Sequence, residues 1–199
     1  MTTAPSAEEQ FDEKASQQLE AVYLTPDVIE QRERVMALLA PRTGERALDI
    51  GCGPGLTTEG LARAVGPSGS VLGIDIAQPM LTIAARRCAM LTQVAFKRCD
   101  VNALAAADAS FDVALASQVY EYVEDIDGAL RELARVIRPG GRAVLVDTDW
   151  ESAVWASSDE RRMRRVLETW NEHIPHPQLP RTLKRRMESA GFRGVQVAV

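Results

Sequence analysis

Short apolar runs alternate with helical periodicity along the middle of the chain. The runs are Ala47–Ile50, Val71–Ile76, Val94–Lys97, Val113–Ser117 and Ala143–Asp147, and the helical stretches between them are Leu56–Val65, Pro79–Leu91 and Ile126–Ile137. Runs that are apolar at nearly every position are typical of strands that are covered on both faces. Because strands and helices alternate, the sequence predicts one doubly wound α/β domain, with a mostly parallel sheet and helices on both sides.

The chain before this alternation is predicted to form a helical cap. Thr25 suits an N-cap, Pro26 suits the first helical position, and Pro41 ends the stretch. We therefore divide the chain into an N-terminal helical cap segment, residues 1–45, and the α/β domain proper, residues 46–199.

After residue 150 the alternation becomes less regular. Ser157 and Glu160 fit a capping box at the start of a helix, and a shorter helix is expected to stop at Gly191. Residues 194–199 are strand-like. Further upstream, Pro139-Gly140-Gly141 is expected to end the helix that precedes it.

The composition narrows the class of protein. The 199 residues are 46% hydrophobic and carry a formal net charge of −5, and this acidic balance argues against a general nucleic-acid binder. No apolar run is long enough to span a bilayer, and residues 1–20 lack the cationic start and apolar middle of a signal peptide. We therefore expect a cytoplasmic protein with no membrane partner. Cys52, Cys88 and Cys99 form no CxxC pair and are expected to be reduced thiols.

The strongest motif is the glycine-rich stretch LDIGCGPG, residues 48–55, between a predicted strand and a predicted helix. A Cβ at Gly51, Gly53 or Gly55 would block a ligand that lies on the turn, and such a turn needs a positive φ. A dinucleotide fingerprint would have its third glycine at the position of Leu56, so a nicotinamide cofactor is disfavoured. The stretch predicts a nucleotide-like ligand, with a purely structural turn as the open alternative.

Acidic residues end the next two predicted strands. Asp75 lies 24 positions beyond Gly51, close to the spacing of acids that accept both hydroxyls of a ribose. Asp100 is placed to accept from an exocyclic adenine amine while Val101 covers the ring. Ordinary helix-capping or turn roles remain open for both aspartates.

Five motifs then occur in a fixed order: LDIGCGPG, GIDIAQPML, CDVNAL, FDVALASQVYEYV and ARVIRPGGRAVLVD. From about residue 35 to residue 155 the chain resembles the class I S-adenosylmethionine-dependent methyltransferases, within the group of ubiquinone, menaquinone and natural-product small-molecule methyltransferases. The resemblance implies a Rossmann-like fold and S-adenosyl-L-methionine as cofactor. It also implies methyl transfer to a small-molecule acceptor by direct in-line displacement, so that residues 46–199 form the cofactor-binding methyltransferase domain.

The same resemblance implies a set of cofactor contacts. They are Tyr23, Thr25, Asp49, Gly51, Cys52, Gly53, Gly55, Asp75, Ile76, Met80, Asp100, Val101, Ser117 and Gln118. The glycine turn would surround the methionine part, and Ser117 with Gln118 would lie beneath the sulfonium. Ile76 and Met80 would pack on the adenosine, and the segment around Tyr23 would close over the cofactor.

The acceptor is expected at the carboxyl ends of the fourth and fifth strands, where open α/β sheets bind ligands. Four aromatic residues of these two loops are candidates for an acceptor-binding wall: Tyr120, Tyr122, Trp150 and Trp155. The open alternative is that each ring anchors its loop on the core.

No catalytic residue is identified by the sequence. Asp149, His173 and His176 are candidate general bases, and Tyr120 is a further catalytic candidate. No metal site is expected, because no third ligand accompanies the histidine pair. The arginines and lysine of residues 161–165 and 184–186 form either a solvated helix surface or a basic rim for an anionic acceptor or RNA.

The chain departs from the family at its end. The family's sheet has seven strands, whereas residues 189–197 read as the approach to strand six and nothing follows to supply strand seven. We therefore expect a truncated form or a fragment of a longer chain. The alternative is a homodimer in which the partner's strand completes the sheet. Three rival functions also stay open: cofactor binding without turnover, methylation of RNA or protein, and nicotinamide-dependent oxidoreduction.

Overall fold

A parallel sheet forms the centre of the molecule in the computed structural model, which describes residues 20–198. Its strands are β1 (Arg46–Ile50), β2 (Ser70–Asp75), β3 (Val94–Arg98), β4 (Phe111–Ser117) and β5 (Ile137–Val146). The five strands of this described range pair in the order β3-β2-β1-β4-β5, and every pair is parallel. The strand order reverses beside β1, so β1 and β4 flank the crevice where such sheets bind ligands.

Helices precede the sheet, connect most of its strands and follow it. They are α1 (Pro26–Leu39), α2 (Leu56–Val65), α3 (Gln78–Arg87), α4 (Ile126–Val136), α5 (Glu160–Glu172) and α6 (Pro180–Ser189). Single 3₁₀ turns lie at Tyr120–Tyr122 and Trp150–Ser152. As predicted, α1 starts directly after Thr25, but the hydroxyl of Thr25 donates to the Val22 carbonyl instead of capping the helix.

The hydrophobic core lies on both faces of the sheet. One cluster joins alternate residues of β1, such as Leu48 and Ile50, to α4 and α6. The other joins Ala47 to α1 and α2. Because successive strand residues point to opposite faces, an all-apolar strand has helices on both sides. The predicted doubly wound architecture is confirmed.

The stretch Pro139-Gly140-Gly141 does not end α4, which corrects the sequence prediction. The helix passes directly into β5, and Ile137 already pairs with Phe111 of β4. The pairing with β4 then shifts register and resumes at Arg142. Proline and glycine are tolerated inside a strand where a bulge interrupts the ladder, and Gly140 has φ +77° there.

The strand-like stretch at the end of the chain is also corrected. Residues 195–198 adopt no regular structure, and Val197 is 68% exposed. Gly194 has φ +66°, which is incompatible with a regular strand. An apolar alternation without a paired neighbour is not enough to form a strand. Within the described range, β5 pairs with β4 only.

The start of α5 differs from the predicted capping box. Asp159 is the N-cap, and its Oδ1 accepts from the Arg162 amide at 2.9 Å. The Ser157 hydroxyl instead accepts from the Asp159 amide at 3.1 Å. An aspartate two residues further on can reach the free amides of the first turn directly, so it displaces the serine as cap.

Candidate cofactor and acceptor site

The glycine turn follows β1 and requires its glycines. The φ angles of Gly51, Gly53 and Gly55 are +61°, +49° and +81°. Residues with a Cβ rarely adopt these angles. The expectation of a positive φ in this turn is confirmed at all three positions.

The three glycines make three different contacts, which corrects the expectation that each keeps the turn clear for a ligand. A Cβ on Gly51 would overlap the side chain of Val119, and one on Gly55 would lie 2.8 Å from the Ala84 Cβ. A Cβ on Gly53 would meet nothing within 4 Å. Gly51 therefore makes room for the protein's own side chain, Gly55 lets α3 pack on the turn, and Gly53 presents bare backbone.

Asp75 is hydrogen-bonded to this turn. The Gly53 amide donates to Asp75 Oδ2 at 2.8 Å, and the Ala77 amide donates to Oδ1 at 2.8 Å. Burial raises the pKa of Asp75, and the bonds from the two amides partly oppose that rise. Each carboxylate oxygen still has a lone pair to offer. The acid at the end of β2 is thus fixed in place and can accept further hydroxyl donors.

Asp49 is buried one strand away. It is 3% exposed, and the Thr58 hydroxyl of α2 donates to its Oδ2 at 2.5 Å. Burial raises the pKa of Asp49 to about 7; the bond from Thr58 opposes this shift and the charge of Asp75 adds to it. Cys52 is buried beside it, and burial raises the pKa of its thiol. The cysteine therefore stays a neutral packing residue.

The segment before α1 lies near the turn. Burial raises the pKa of Tyr23, and the charges of Asp75 and Glu121 raise it further. Arg87 of α3 donates to the Pro54 carbonyl at 2.9 Å and forms an ion pair with Glu20. Sequence reasoning missed Arg87, because nothing in its local pattern shows that it joins two distant segments.

The predicted adenine side is mixed in character. Met80 is buried, whereas Ile76 is 45% exposed next to Asp75. Asp100 is exposed and its Oδ1 accepts from the Asn102 amide at 2.8 Å, which is the turn role left open by the sequence. An exposed apolar side chain beside a fixed carboxylate is a suitable wall for a flat ring.

A strained turn ends β4. Gln118 has φ +57°, which is uncommon for a residue other than glycine. Its amide donates to the Val146 carbonyl at 2.7 Å, and its side-chain oxygen accepts from the Thr148 hydroxyl at 3.0 Å. Strain of this kind concentrates at functional sites. The turn at Gln118 brings the ends of β4 and β5 together and directs Val119 toward the glycine turn.

Two carboxyl groups, one buried and one half-buried, hold the loops after β4 and β5, and sequence reasoning missed both roles. Glu121 Oε2 accepts from the Thr148 amide at 3.1 Å and from the Trp150 indole at 3.0 Å. Asp147 Oδ1 accepts from the amides of Val119 and Glu121, at 3.2 and 3.1 Å. Burial raises the pKa of Glu121, and it raises that of Asp147 to about 7. In the sequence, a glutamate flanked by tyrosines gives no indication that it accepts hydrogen bonds from the loop after β5.

The four aromatic candidates do not form one wall. Tyr120 is 0% exposed and packs in the core, so it is corrected to a core residue with no open face for an acceptor. Tyr122 and Trp155 are 43% and 50% exposed. Trp150 is partly buried and contacts Trp170, with ring centroids 5.3 Å apart. Contact of an acceptor with the three other rings stays a prediction.

The candidate bases are occupied by other contacts. Arg181 donates to both oxygens of Asp149, at 2.8 and 3.0 Å, and this pair lowers the pKa of Asp149. A carboxylate held in this way is a weak base. His173 Nδ1 lies 2.6 Å from the Thr169 carbonyl of its own helix, and His176 Nε2 lies 3.4 Å from the Glu124 carbonyl.

The two basic clusters lie mostly at the surface. The arginines at 161, 162, 164 and 165 are exposed along α5, as are Lys184 and Arg185 on α6. Arg186 pairs with Asp127 at 2.7 Å. This exposure is what a solvated helix surface requires, and a role toward an anionic acceptor stays a prediction.

Comparison with known proteins decides the family. Residues 48–145, which include the glycine turn, Asp75 and the turn after β4, match the family described as "Methyltransferase domain". This match assigns residues 48–145 to the class I S-adenosylmethionine-dependent methyltransferases. The cofactor of this family is S-adenosylmethionine.

Individual relatives agree with this assignment. The chain is 44% identical over 129 residues to an uncharacterised 37.1 kDa protein in a Streptomyces fradiae transposon, which covers 64% of this chain and 37% of that protein. Demethylmenaquinone methyltransferase from Staphylococcus aureus is 38% identical over 117 residues, covering 59% of this chain and 48% of that one. The chain thus spans about half or less of the length of the curated relatives it matches.

A solved structure shares the methyltransferase fold. The S-adenosylmethionine-dependent methyltransferase from Aquifex aeolicus superposes with a TM-score of 0.73 at 21% identity, over 94% of this chain and 92% of that one. At this identity the likeness supports the architecture and no residue role.

The residues of the site fit the methyltransferase cofactor. Gly53 offers open backbone that a Cβ would fill, and Asp75 offers carboxylate oxygens fixed at the same turn. Ile76 supplies an exposed apolar surface for a ring. No helix among residues 20–198 has the length and apolar character needed to cross a bilayer.

Proposed function

We propose that the chain transfers a methyl group from S-adenosylmethionine to a small-molecule acceptor by direct in-line displacement. The observation that carries the proposal is the bond from the open Gly53 turn to Asp75. It joins a surface for the methionyl part to an acid for the ribose, across the carboxyl ends of β1 and β2. The cofactor supplies a methyl group on a positively charged sulfur.

We propose the cofactor contacts that the family resemblance implies, with one refinement. Gly53 faces the cofactor, while Gly51 and Gly55 shape the turn through Val119 and Ala84. The other proposed contacts are Tyr23, Thr25, Asp49, Cys52, Asp75, Ile76, Met80, Asp100, Val101, Ser117 and Gln118. Residues 1–45 would act as a cap over the domain formed by residues 46–199, and residues 1–19 of that cap lie outside the described range.

Positioning supplies most of the proposed catalysis. A direct displacement would move the methyl group in one step, so no covalent intermediate with the protein is needed. Alignment of donor and acceptor at near-attack distance is worth up to about 7–11 kcal/mol. Rigid groups at the strand ends suit this task, and the bonds of Asp75, Glu121 and Asp147 to backbone amides provide such rigidity.

The acceptor would enter beside the loops after β4 and β5. Tyr122, Trp150 and Trp155 are the aromatic residues proposed to contact it there. The relative named demethylmenaquinone methyltransferase supports a small organic acceptor. The cytoplasmic location, the homodimer and the exclusion of nucleic acid stay predictions from the sequence.

Calorimetric titration tests the proposal. S-adenosylmethionine and its demethylated product, S-adenosylhomocysteine, should both bind, and NADH should not. Methyl transfer is then followed with isotope-labelled cofactor across a broad panel of small acceptors. Binding of NADH with indifference to S-adenosylmethionine would overturn the cofactor assignment. Tight cofactor binding without turnover on any acceptor would favour a sensor or partner subunit, and a salt-dependent affinity for RNA would favour an RNA methyltransferase.

A further inference from the structure

Two carboxyl groups, those of Glu121 and Asp147, lie in the loops after β4 and β5, and each has one buried oxygen without a hydrogen bond. Glu121 is 0% exposed, and its Oε1 finds no partner among residues 20–198. Asp147 Oδ2 is likewise buried and unpaired in that range. A buried acceptor without a donor is costly, so it points to a ligand group.

The charge of this pair is unbalanced. The Glu121 amide donates to Asp147 Oδ1 at 3.1 Å, so the two residues are in contact. Burial raises the pKa of Asp147 and the charge of Glu121 raises it further, whereas the bonds from backbone amides lower it. Neither forms an ion pair with a lysine or arginine within the described part of the chain. Buried charges in proteins are normally paired. A cation would complete this arrangement.

The phenol of Tyr122 lies beside the Glu121 carboxyl group, and the phenol of Tyr23 also interacts with its charge. After burial, the charge of Glu121 is the main influence that raises the pKa of Tyr122, and it also raises that of Tyr23. The indole of Trp150 donates to the other oxygen of the same carboxylate. Glu121 follows two residues after Val119, whose side chain packs against Gly51 of the glycine turn, so this segment adjoins the proposed cofactor site. A carboxylate among aromatic rings is the chemistry that recognises organic ammonium groups.

We propose that Glu121 binds the ammonium group of the methyl acceptor through Oε1, which makes the acceptor an organic amine. This inference rests on the proposed methyl transfer and specifies its acceptor class. Trp150 and Thr148 act as positioning residues, because they hold Oε2 and thereby fix the direction of Oε1.

The proposed step balances as follows. The acceptor ammonium gives one proton to the Glu121 carboxylate, and the nitrogen lone pair that this frees forms the bond to the methyl carbon. The carbon–sulfur bond of the cofactor breaks, and its electron pair stays on sulfur. The products are an N-methylammonium, S-adenosylhomocysteine and a protonated Glu121, which returns its proton to solvent.

Binding to the whole chain, saturated with S-adenosylhomocysteine, tests the inference without turnover. The probes are three amine–alcohol pairs of increasing size: ethanolamine and ethylene glycol, phenethylamine and 2-phenylethanol, tryptamine and tryptophol. We expect at least one amine to bind about tenfold or more tightly than its alcohol, the value of one charge-assisted hydrogen bond. If no amine is preferred in any pair, the inference is overturned, while the binding of S-adenosylhomocysteine itself still supports the proposed function.

A charge-neutral variant tests the residue. Glu121→Gln should remove the preference for the amine and leave the affinity for S-adenosylhomocysteine unchanged. Glu124→Gln is the matched control, because it removes the same charge from an exposed position three residues away and should keep the preference. If Glu121→Gln weakens binding of S-adenosylmethionine but not of S-adenosylhomocysteine, the carboxylate serves the cofactor's sulfonium and the inference fails. If the variant does not fold, the wild-type comparison can still overturn the inference through the absence of any preference for an amine.

Discussion

The absence of a side chain has a different structural consequence at each glycine of the turn. The missing Cβ of Gly51 makes room for Val119, and that of Gly55 makes room for Ala84. The missing Cβ of Gly53 leaves open space. All three share a positive φ, so the sequence motif looks uniform while the contacts differ. The sequence predicts that the turn needs glycine, but only the packing of distant residues decides which glycine is free to face a ligand.

A matched pair of alanine variants distinguishes the open glycine from a packed one. Gly53→Ala and Gly55→Ala both add the strain of a positive φ, about 1–2 kcal/mol. Gly55→Ala adds overpacking against Ala84, about 1–3 kcal/mol more, and should be the less stable variant in urea denaturation. Gly53→Ala should stay folded but bind S-adenosylmethionine about tenfold or more weakly. Equal cofactor affinity in Gly53→Ala and wild type would show that the open face is not used.

Removal of the acid at the end of β2 should weaken cofactor binding. Asp75→Ala deletes the carboxylate proposed to accept the ribose hydroxyls, which is worth about 1.5–3 kcal/mol of binding free energy. Calorimetry with S-adenosylhomocysteine measures the change, and the thermal midpoint reports how much the lost bonds to Gly53 and Ala77 matter. An unchanged dissociation constant would contradict the ribose role.

The sequence revealed Asp75 but not Glu121, and the difference has a physical cause. Asp75 ends an apolar run at a spacing set by one strand–helix–strand unit, so its place follows from local order. Glu121 gains its role from Thr148 and Trp150, which are 27 and 29 residues away. Tyr120 shows the same limit. It precedes the polar Glu121 in a predicted loop, yet its ring lies in the core.

Helices and strands were predictable where a periodic pattern had clear ends. The limits of α2 agree with the prediction at both ends, and α1 starts where a proline fixes the first turn. The failures occurred where tertiary pairing overrides local signals. Pro139 and the glycines after it look like a helix terminator but lie in a bulged part of β5, because pairing with β4 has already begun at Ile137.

The two 3₁₀ turns after β4 and β5 are joined by one indole. Trp150→Phe removes the N–H that Glu121 accepts, and we expect a loss of about 1.5–3 kcal/mol in the free energy of unfolding. Trp170→Phe is the control, because it changes the other ring of the same aromatic pair. It should cost less in the same denaturant titration. Equal losses would mean that ring packing, not the hydrogen bond, joins the turns.

At the scale of the whole molecule, buried carboxyl groups should make stability depend on pH. Burial raises the pKa of Asp49 and of Asp147 from 3.8 to about 7. Between about pH 4 and pH 7 the folded chain therefore holds protons that the unfolded chain releases. The free energy of unfolding should fall as pH rises through this window, by a few kcal/mol in order of magnitude, and level off above it.

Denaturant titrations at several pH values check this slope. Asp49→Asn should flatten it, because the amide carries no proton to release. Asp149→Asn should leave it unchanged, because the bond from Arg181 lowers the pKa of Asp149 and so confines its contribution to more acidic conditions. A free energy of unfolding that rises from pH 5 to pH 7 would contradict the prediction.

The bulge in β5 also determines where the chain can tolerate insertions and deletions. Residues 138–141 lie opposite the single residue Asp112, between the pair Ile137–Phe111 and the pair Arg142–Val113. Adding or deleting one residue at 138–141 alters only the size of the bulge. The same change within residues 142–146 would exchange the inward and outward sides of the strand end that leads to Asp147. Insertions and deletions among homologues should therefore accumulate at 138–141 and be absent from the following five positions.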